Sequence, residues 1–258
     1  TNIKSENLFT TGSENLGPVE WRTLARRIEE LTTSSDIDGV VVTHGTDTLE
    51  EASFFLDLVC KPSKPVVLTA AMRPATALSA DGPANLYQAV LTAASIKLND
   101  HGILVVMNGK VISGWQAIKT DSAALESFCA YPGGIIGHIS GERIFLSEKS
   151  CTSPLSGMFS DHLNKGGKLP LVRVIFLRGG FEDVLLEELI NKDCKGIVIA
   201  GFGAGTLPDT VANRIAKIEC PECVIIVSSR VHRVMVMSET MTQIEGWNSI
   251  PSGFLNPQ

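Results

Sequence analysis

A hydroxyl, a carboxylate and a lysine stand out as groups of this sequence that could move a proton. Thr46 and Asp47 are adjacent in VVTHGTDTLEE, where an apolar run reading as a strand ends at His44-Gly45 and a helical pattern begins at once. Open parallel sheets bind ligands at this strand-to-helix edge, and the unpaired N–H groups of a helix N-terminus attract anions. Lys119 lies in SGWQAIKTDSAALESF between Ile118 and Thr120. Small, apolar surroundings can desolvate an ammonium and lower its pKa toward that of a base. A neutral amine can accept a threonine hydroxyl proton while a carboxylate orients the group and offsets the developing positive charge. Each residue also has an ordinary explanation, because Thr and Asp are common helix N-caps and a single lysine most often faces solvent.

A second polar loop follows the next strand in PVVLTAAMRPATALSADGPANLYQAV, so two successive strand ends converge on one crevice. Arg73 and Asp81 of that loop could touch a ligand. A loop of this length usually needs internal ion pairs to hold its shape, and that structural role is preferred for both.

The elements that must position these groups alternate short apolar runs with amphipathic stretches, the signature of βα units and a mainly parallel sheet. Strands are predicted over 39–44, 65–70 and 102–108, and helices over 19–31, 47–59 and 83–98. Pro18 and Pro83 suit a first helical turn, where a missing N–H removes no bond. Between Leu146 and Pro170 the pattern breaks into a Ser-, Lys-, Gly- and Pro-rich stretch, read as an interdomain linker over 149–170. Alternation then resumes with LVRVIFL, FEDVLLEELINK, GIVIAGFGAG and CVIIVSS. The expected fold class is α/β: a larger N-terminal domain over 1–148 and a smaller C-terminal domain over 171–258.

The 258 residues are 44% hydrophobic, enough for one large core or two smaller ones. A net charge of -6 and no basic stripe argue against nucleic acid as a partner. No apolar run approaches membrane-spanning length, and TNIKSENLFT lacks the basic start and apolar centre of a signal peptide. Cys60, Cys129, Cys151 and Cys194 occur singly and read as buried thiols. Cys220 and Cys223 form a C-x-x-C without the second pair or histidines that zinc requires, so no metal is expected. Thr1 as a self-activating nucleophile is disfavoured, since NIKSENLF shows no glycine-rich or strand pattern.

GSENL (12–16), THGTDTLEE (43–51), AAMRPATALSADGPANLY (70–87), IKTD (118–121), SSRV (228–231) and SGFLNPQ (252–258) resemble, in order, the motifs of type II L-asparaginases. THGTDT followed by AMRP and SADGP is the specific combination. The resemblance implies two α/β domains, a homotetramer of two intimate dimers, active sites between subunits and hydrolysis of L-asparagine, with possible activity on L-glutamine. Thr46, Asp47 and Lys119 match one catalytic triad of the family. Ser13 and Glu14 match the pair that grips the α-carboxylate and α-ammonium, with Asp47 also holding the ammonium and Thr46 near the carboxylate. Ala71 matches the position whose backbone carbonyl faces the scissile amide. A zwitterion needs donors on one side and acceptors on the other, which this division supplies. No cofactor is implied.

The family's T-G-G-T-I segment, with its first catalytic threonine, and its C-terminal helical segment have no counterpart within these residues. The chain begins without Met and reads as processed or as a piece of something longer. A polypeptide limited to residues 1–258 is therefore expected to bind aspartate weakly and to hydrolyse asparagine poorly or not at all, and a version extended at both ends to be active. Thr206 and Met241 stand where relatives often have Asn and a Glu contributed by the neighbouring subunit, and Glu239 lies two residues from the latter. Two rival readings are an amino-acid-binding pseudoenzyme and the asparaginase-like subunit of a tRNA-dependent amidotransferase. Type II resemblance points to a periplasmic or secreted enzyme, and the sequence leaves the compartment open.

Overall fold

Unbroken runs of β-branched and aliphatic residues suit strands of a sheet covered on both faces, and those of the N-terminal half do become neighbouring parallel strands. The computed structural model describes all residues except 1, 148–152, 165–166, 182–184, 191–192 and 221. The chain divides into two units, 1–166 and 167–258.

The first unit runs α1 (Pro18–Thr33), β1 (Val40–Thr43), α2 (Leu49–Val59), β2 (Val66–Thr69), α3 (Gly82–Ala93), β3 (Ile103–Met107), β4 (Lys110–Ser113), β5 (Ala117–Lys119), β6 (Phe128–Ala130), β7 (Gly137–Ser140), β8 (Arg143–Leu146) and α4 (Ser160–Asn164). Its main sheet has the order β1-β2-β3-β4-β7-β8. The first three strands are parallel, and β4, β7 and β8 continue as antiparallel neighbours. Half of this sheet is thus antiparallel, where the sequence predicted a mainly parallel one. The reversal is a two-residue turn, Asn108-Gly109, with φ of 48° and 75°. Positive φ at both positions is what a hairpin turn matching the strand twist demands, and Asn-Gly supplies it with little strain.

Alternation along each strand splits the core. Val66, Leu68 and Val105 pack with Ile28 of α1 and Leu56 of α2, while Val67, Leu104 and Val106 pack with Ala89 and Ala93 of α3. The helix predicted over 83–98 ends at Ala93, and a separate 3-10 turn, Ile96–Leu98, follows. That break turns Leu98 into the core and leaves Ile96 outside.

Part of the stretch predicted as linker is packed against the first unit. Gly157 N–H donates to Asp57 O (2.8 Å) and Phe159 N–H to Leu58 O (2.8 Å), and Leu163 is buried in the α1/α2 core. Asp57, fully buried within α2, accepts the Ile103 N–H (3.0 Å) and the Ser153 hydroxyl. Polarity made this stretch look like linker, yet the Ser153 hydroxyl bonds buried Asp57 and the Ser156 hydroxyl donates to the carbonyl of buried Cys60 (3.2 Å). Of the predicted linker, 149–152, which include Cys151, and 165–166 lie outside the described residues.

The second unit contains β9 (Leu171–Phe176), α5 (Leu185–Leu189), β10 (Cys194–Gly201), α6 (Asp209–Ile215), β11 (Val224–Ser229) and β12 (Ser249–Pro251). Its sheet, β12-β11-β10-β9, is parallel throughout. Of the helix expected in FEDVLLEELINK, 182–184 and 191–192 lie outside the described residues. Leu186 and Val211 cover one sheet face together with Ile197 and Ile225. The opposite face carries the alternate residues Val172, Val174 and Phe176, which are exposed. Ser228 and Ser229 of the SSRV motif hold loops, donating to Leu255 O (3.1 Å) and Gly203 O (2.6 Å), and the Arg230 guanidinium lies over the Phe202 ring.

Candidate active site

In-register pairing places Thr43 of β1 beside Thr69 of β2, so the THGTD turn and the AMRP loop leave adjacent strand ends. The turn is fixed from below by the 3-10 segment Ser13–Asn15. Asp47 N–H donates to Ser13 Oγ (3.2 Å) and Thr48 Oγ1 to Ser13 O (2.7 Å). Ser13 is buried, and its Oγ, engaged here as an acceptor, still has a proton to donate. Gly45 is needed for this approach, because a Cβ there would fall 2.4 Å from Ser13 Oγ.

Lys119 closes the group from the other side. It ends β5, which pairs with β6 outside the main sheet. Its Nζ donates to Thr46 Oγ1 (3.0 Å) and to Asp47 Oδ1 (2.7 Å). The three chemically apt residues, drawn from two loops some 70 positions apart in sequence, therefore meet. A charged Lys119 is held by both acceptors, and a neutral one is in place to take the threonine proton.

Behind the turn, His44 is half-buried and its imidazole pKa is pushed down by burial, against a Gly45 carbonyl 2.8 Å from Nδ1 that favours the charged form. The neutral ring carries its proton on Nδ1, the nitrogen facing that carbonyl.

Glu14 does not join the cluster in the way Ser13 does. Its carboxylate folds over Gly12, accepts from Asn15 Nδ2 (3.2 Å) and is exposed. Ala71 lies just beyond β2, exposed, at the start of the AMRP loop. That loop is held by main-chain bonds, where the sequence reading expected ion pairs. Asp81 accepts the N–H groups of Met72 (2.9 Å) and Arg73 (2.9 Å), and Arg73 Nη1 donates to Ser79 O (3.0 Å). Burial alone would raise the Asp81 carboxyl, yet these amide bonds and that of Asn85 hold it below the usual value.

Sequence reasoning missed Asn85. Buried in α3, it donates to Ala70 O (3.0 Å) and Asp81 Oδ2 (3.1 Å) and accepts the Asn108 N–H (3.0 Å). One amide thus ties the strand end, the loop and the hairpin turn together. The available signal was an asparagine on the core-facing side of an apolar helix. Asp121 of IKTD is structural, accepting the Ala123 (2.7 Å) and Ala124 (2.8 Å) N–H groups.

Residues 1–151 match the family model described as asparaginase, N-terminal, and residues 171–258 match the glutaminase/asparaginase C-terminal domain. The chain belongs to the asparaginase family. This asparaginase-family chain is 36% identical over 257 residues to L-asparaginase 2 of Escherichia coli (strain K12), covering 100% of itself and 73% of that protein. It is 37% identical over 257 residues to the probable periplasmic L-asparaginase of Haemophilus influenzae, with the same coverage. A glutaminase-asparaginase of Pseudomonas fluorescens biotype A is 33% identical over 259 residues, 100% of this chain and 71% of that one. Among solved structures, a probable cytoplasmic L-asparaginase from Campylobacter jejuni superposes with a TM-score of 0.85 at 33% identity, covering 99% of this chain and 81% of that one. Relatives named for the periplasm and for the cytoplasm are both present, and no described helix of this asparaginase-family chain is long and apolar enough to cross a membrane.

Elsewhere in this asparaginase-family chain, Met241 is a core residue of the second unit and Glu239 is exposed. Cys194, Cys220 and Cys223 are buried in that core. Burial first, and then the neighbouring Cys194 and Cys220, push the Cys223 thiol up to about 12, which makes it a poor nucleophile at neutral pH. Cys60 is buried and Cys129 half-buried.

Proposed function

We propose that this protein hydrolyses the side-chain amide of L-asparagine to give L-aspartate and ammonia, and accepts L-glutamine as a second substrate. The observation that carries the reading is the single ammonium of Lys119 within hydrogen-bond reach of both Thr46 Oγ1 and Asp47 Oδ1. In the proposed reaction neutral Lys119 takes the Thr46 proton and the oxygen attacks the amide carbon. The proton passes to the departing nitrogen, which leaves as ammonia. Water then splits the acyl-threonine to release aspartate and restore the hydroxyl. Asp47 orients Lys119 and, being largely solvated on its outer side, can also receive the substrate ammonium. Ser13 Oγ has a proton to offer the α-carboxylate. Glu14 adds negative charge near the ammonium, and the Ala71 carbonyl faces the amide. Names of relatives that include L-asparaginase and glutaminase-asparaginase support both substrates.

The family resemblance also supports a homotetramer of two intimate dimers, which light scattering on the purified protein tests. Function is tested by ammonia release from asparagine, with Thr46→Ala alongside. In a version extended at both ends, turnover that disappears in Thr46→Ala while aspartate still binds is the expected result. Undiminished turnover in that variant overturns the reading.

A further inference from the structure

Lys119 has to be placed accurately, and the strand it ends is only three residues long and stands apart from the main sheet. Its side chain can bridge Thr46 and Asp47 only if its main chain is held at the right distance from the turn. The Lys119 N–H donates to Glu50 Oε2 at 2.5 Å. Glu50 is in the first turn of α2, four residues beyond Thr46 and three beyond Asp47. One turn further on, the Ser53 hydroxyl lies 2.9 Å from Gly114 O, with Glu50 O of its own helix as the alternative acceptor at 3.0 Å, so α2 contacts both the segment leading into β5 and the strand's last residue.

We propose that Glu50 is the positioning residue of the base: its carboxylate anchors the main chain of Lys119 to the first turn of α2, the helix entered directly from the turn that carries Thr46 and Asp47. The proposal rests on the hydrolase reading above. The arrangement places the nucleophile, the orienting carboxylate and the anchor of the base within five consecutive residues, Thr46 to Glu50. That bond limits how far β5 can move from α2, and with it how far Lys119 can move from Thr46. Small misplacements of a proton-transfer pair lower the rate of the chemical step far more than they weaken ground-state binding.

Three variants separate reach from charge. Glu50→Gln keeps a carbonyl oxygen at the same reach, Glu50→Asp keeps the charge but withdraws the oxygen by one methylene, and Glu50→Ala removes both. Expected results are a kcat for asparagine reduced at least about tenfold in the Ala and Asp variants, with KM and aspartate affinity within about twofold of wild type, and most of kcat recovered in Gln. Amide hydrogen exchange at Lys119 should be slow in wild type and Gln and at least about tenfold faster in Ala and Asp. That readout needs no turnover. Asp matching wild type in both measurements, or Gln as impaired as Ala, overturns the proposal, and so does a loss confined to KM. Because Gln and Asp differ from wild type by charge or by one methylene, the test stands even if Ala does not fold. Turnover indifferent to Thr46→Ala sinks the hydrolase reading, whereas Thr46-dependent turnover indifferent to Glu50 sinks only the positioning role.

Discussion

Lys119 and Asp47 form an ion pair of 2.7 Å with unequal burial: the lysine side chain is 18% exposed and the aspartate 63%. Removing the lysine leaves a solvated carboxylate and no buried unpaired charge, so it affects the site's chemistry more than the fold.

For Lys119→Met, asparagine turnover should fall by about 10²–10⁴-fold, the usual contribution of a positioned base. Aspartate binding should change by only about twofold, since the base acts in the transition state. Stability should change by less than about 1 kcal/mol, because Asp47 is left solvated and not buried without a partner. Steady-state kinetics, calorimetry with aspartate and a urea melt give the three numbers. Equal losses in turnover and binding would reduce Lys119 to a simple ion-pair partner.

Glu14→Gln should weaken aspartate binding by no more than about fivefold, about 1 kcal/mol, as exposed charge pairs do. A desolvated, charge-assisted bond would be worth about 1.5 to 3 kcal/mol, but the Glu14 carboxylate is open to solvent. Calorimetric titration of the variant distinguishes the two. No change even in Glu14→Ala would place the residue outside the site.

Asp57 gives the fold a pH dependence. Burial, only partly offset by the Ser153 hydroxyl and the Ile103 N–H, raises its carboxyl from 3.8 to about 6. The folded protein therefore holds a proton that the unfolded chain releases. This stabilisation is complete below pH 3.8, the unfolded value, and is lost as pH rises through about 6. The change amounts to about 3 kcal/mol. Asp57→Asn has no such proton to lose, so its stability relative to wild type should improve by about 3 kcal/mol between about pH 3.5 and about pH 8. Urea melts of both proteins across that range provide the check. A difference that does not vary with pH would mean that Asp57 folds ionised.

Much of the fold was legible in the sequence because local patterning decides it. The strands came out within a residue or two of 39–44, 65–70 and 102–108, since continuous aliphatic runs satisfy a sheet covered on both faces. Pro18 and Pro83 do open α1 and α3 within their first two positions. The antiparallel half of the first sheet was missed, although Asn108-Gly109 carried its turn signal, because β4, β7 and β8 are only four residues each and none is a continuous apolar run.

By itself the sequence determined the residue types of the site and the strand ends that bear Thr46 and Asp47. Whether Lys119 would reach them was decided by tertiary structure alone. Nothing local to SGWQAIKTD determines how far its main chain stands from α2; that distance depends on Glu50 and Ser53, some 60 to 70 residues earlier. The same holds for the buried ties of Asn85 and Asp57. A polar side chain looks alike in a sequence whether it faces water or satisfies a buried amide, and only packing settles which groups lose their water and must find each other.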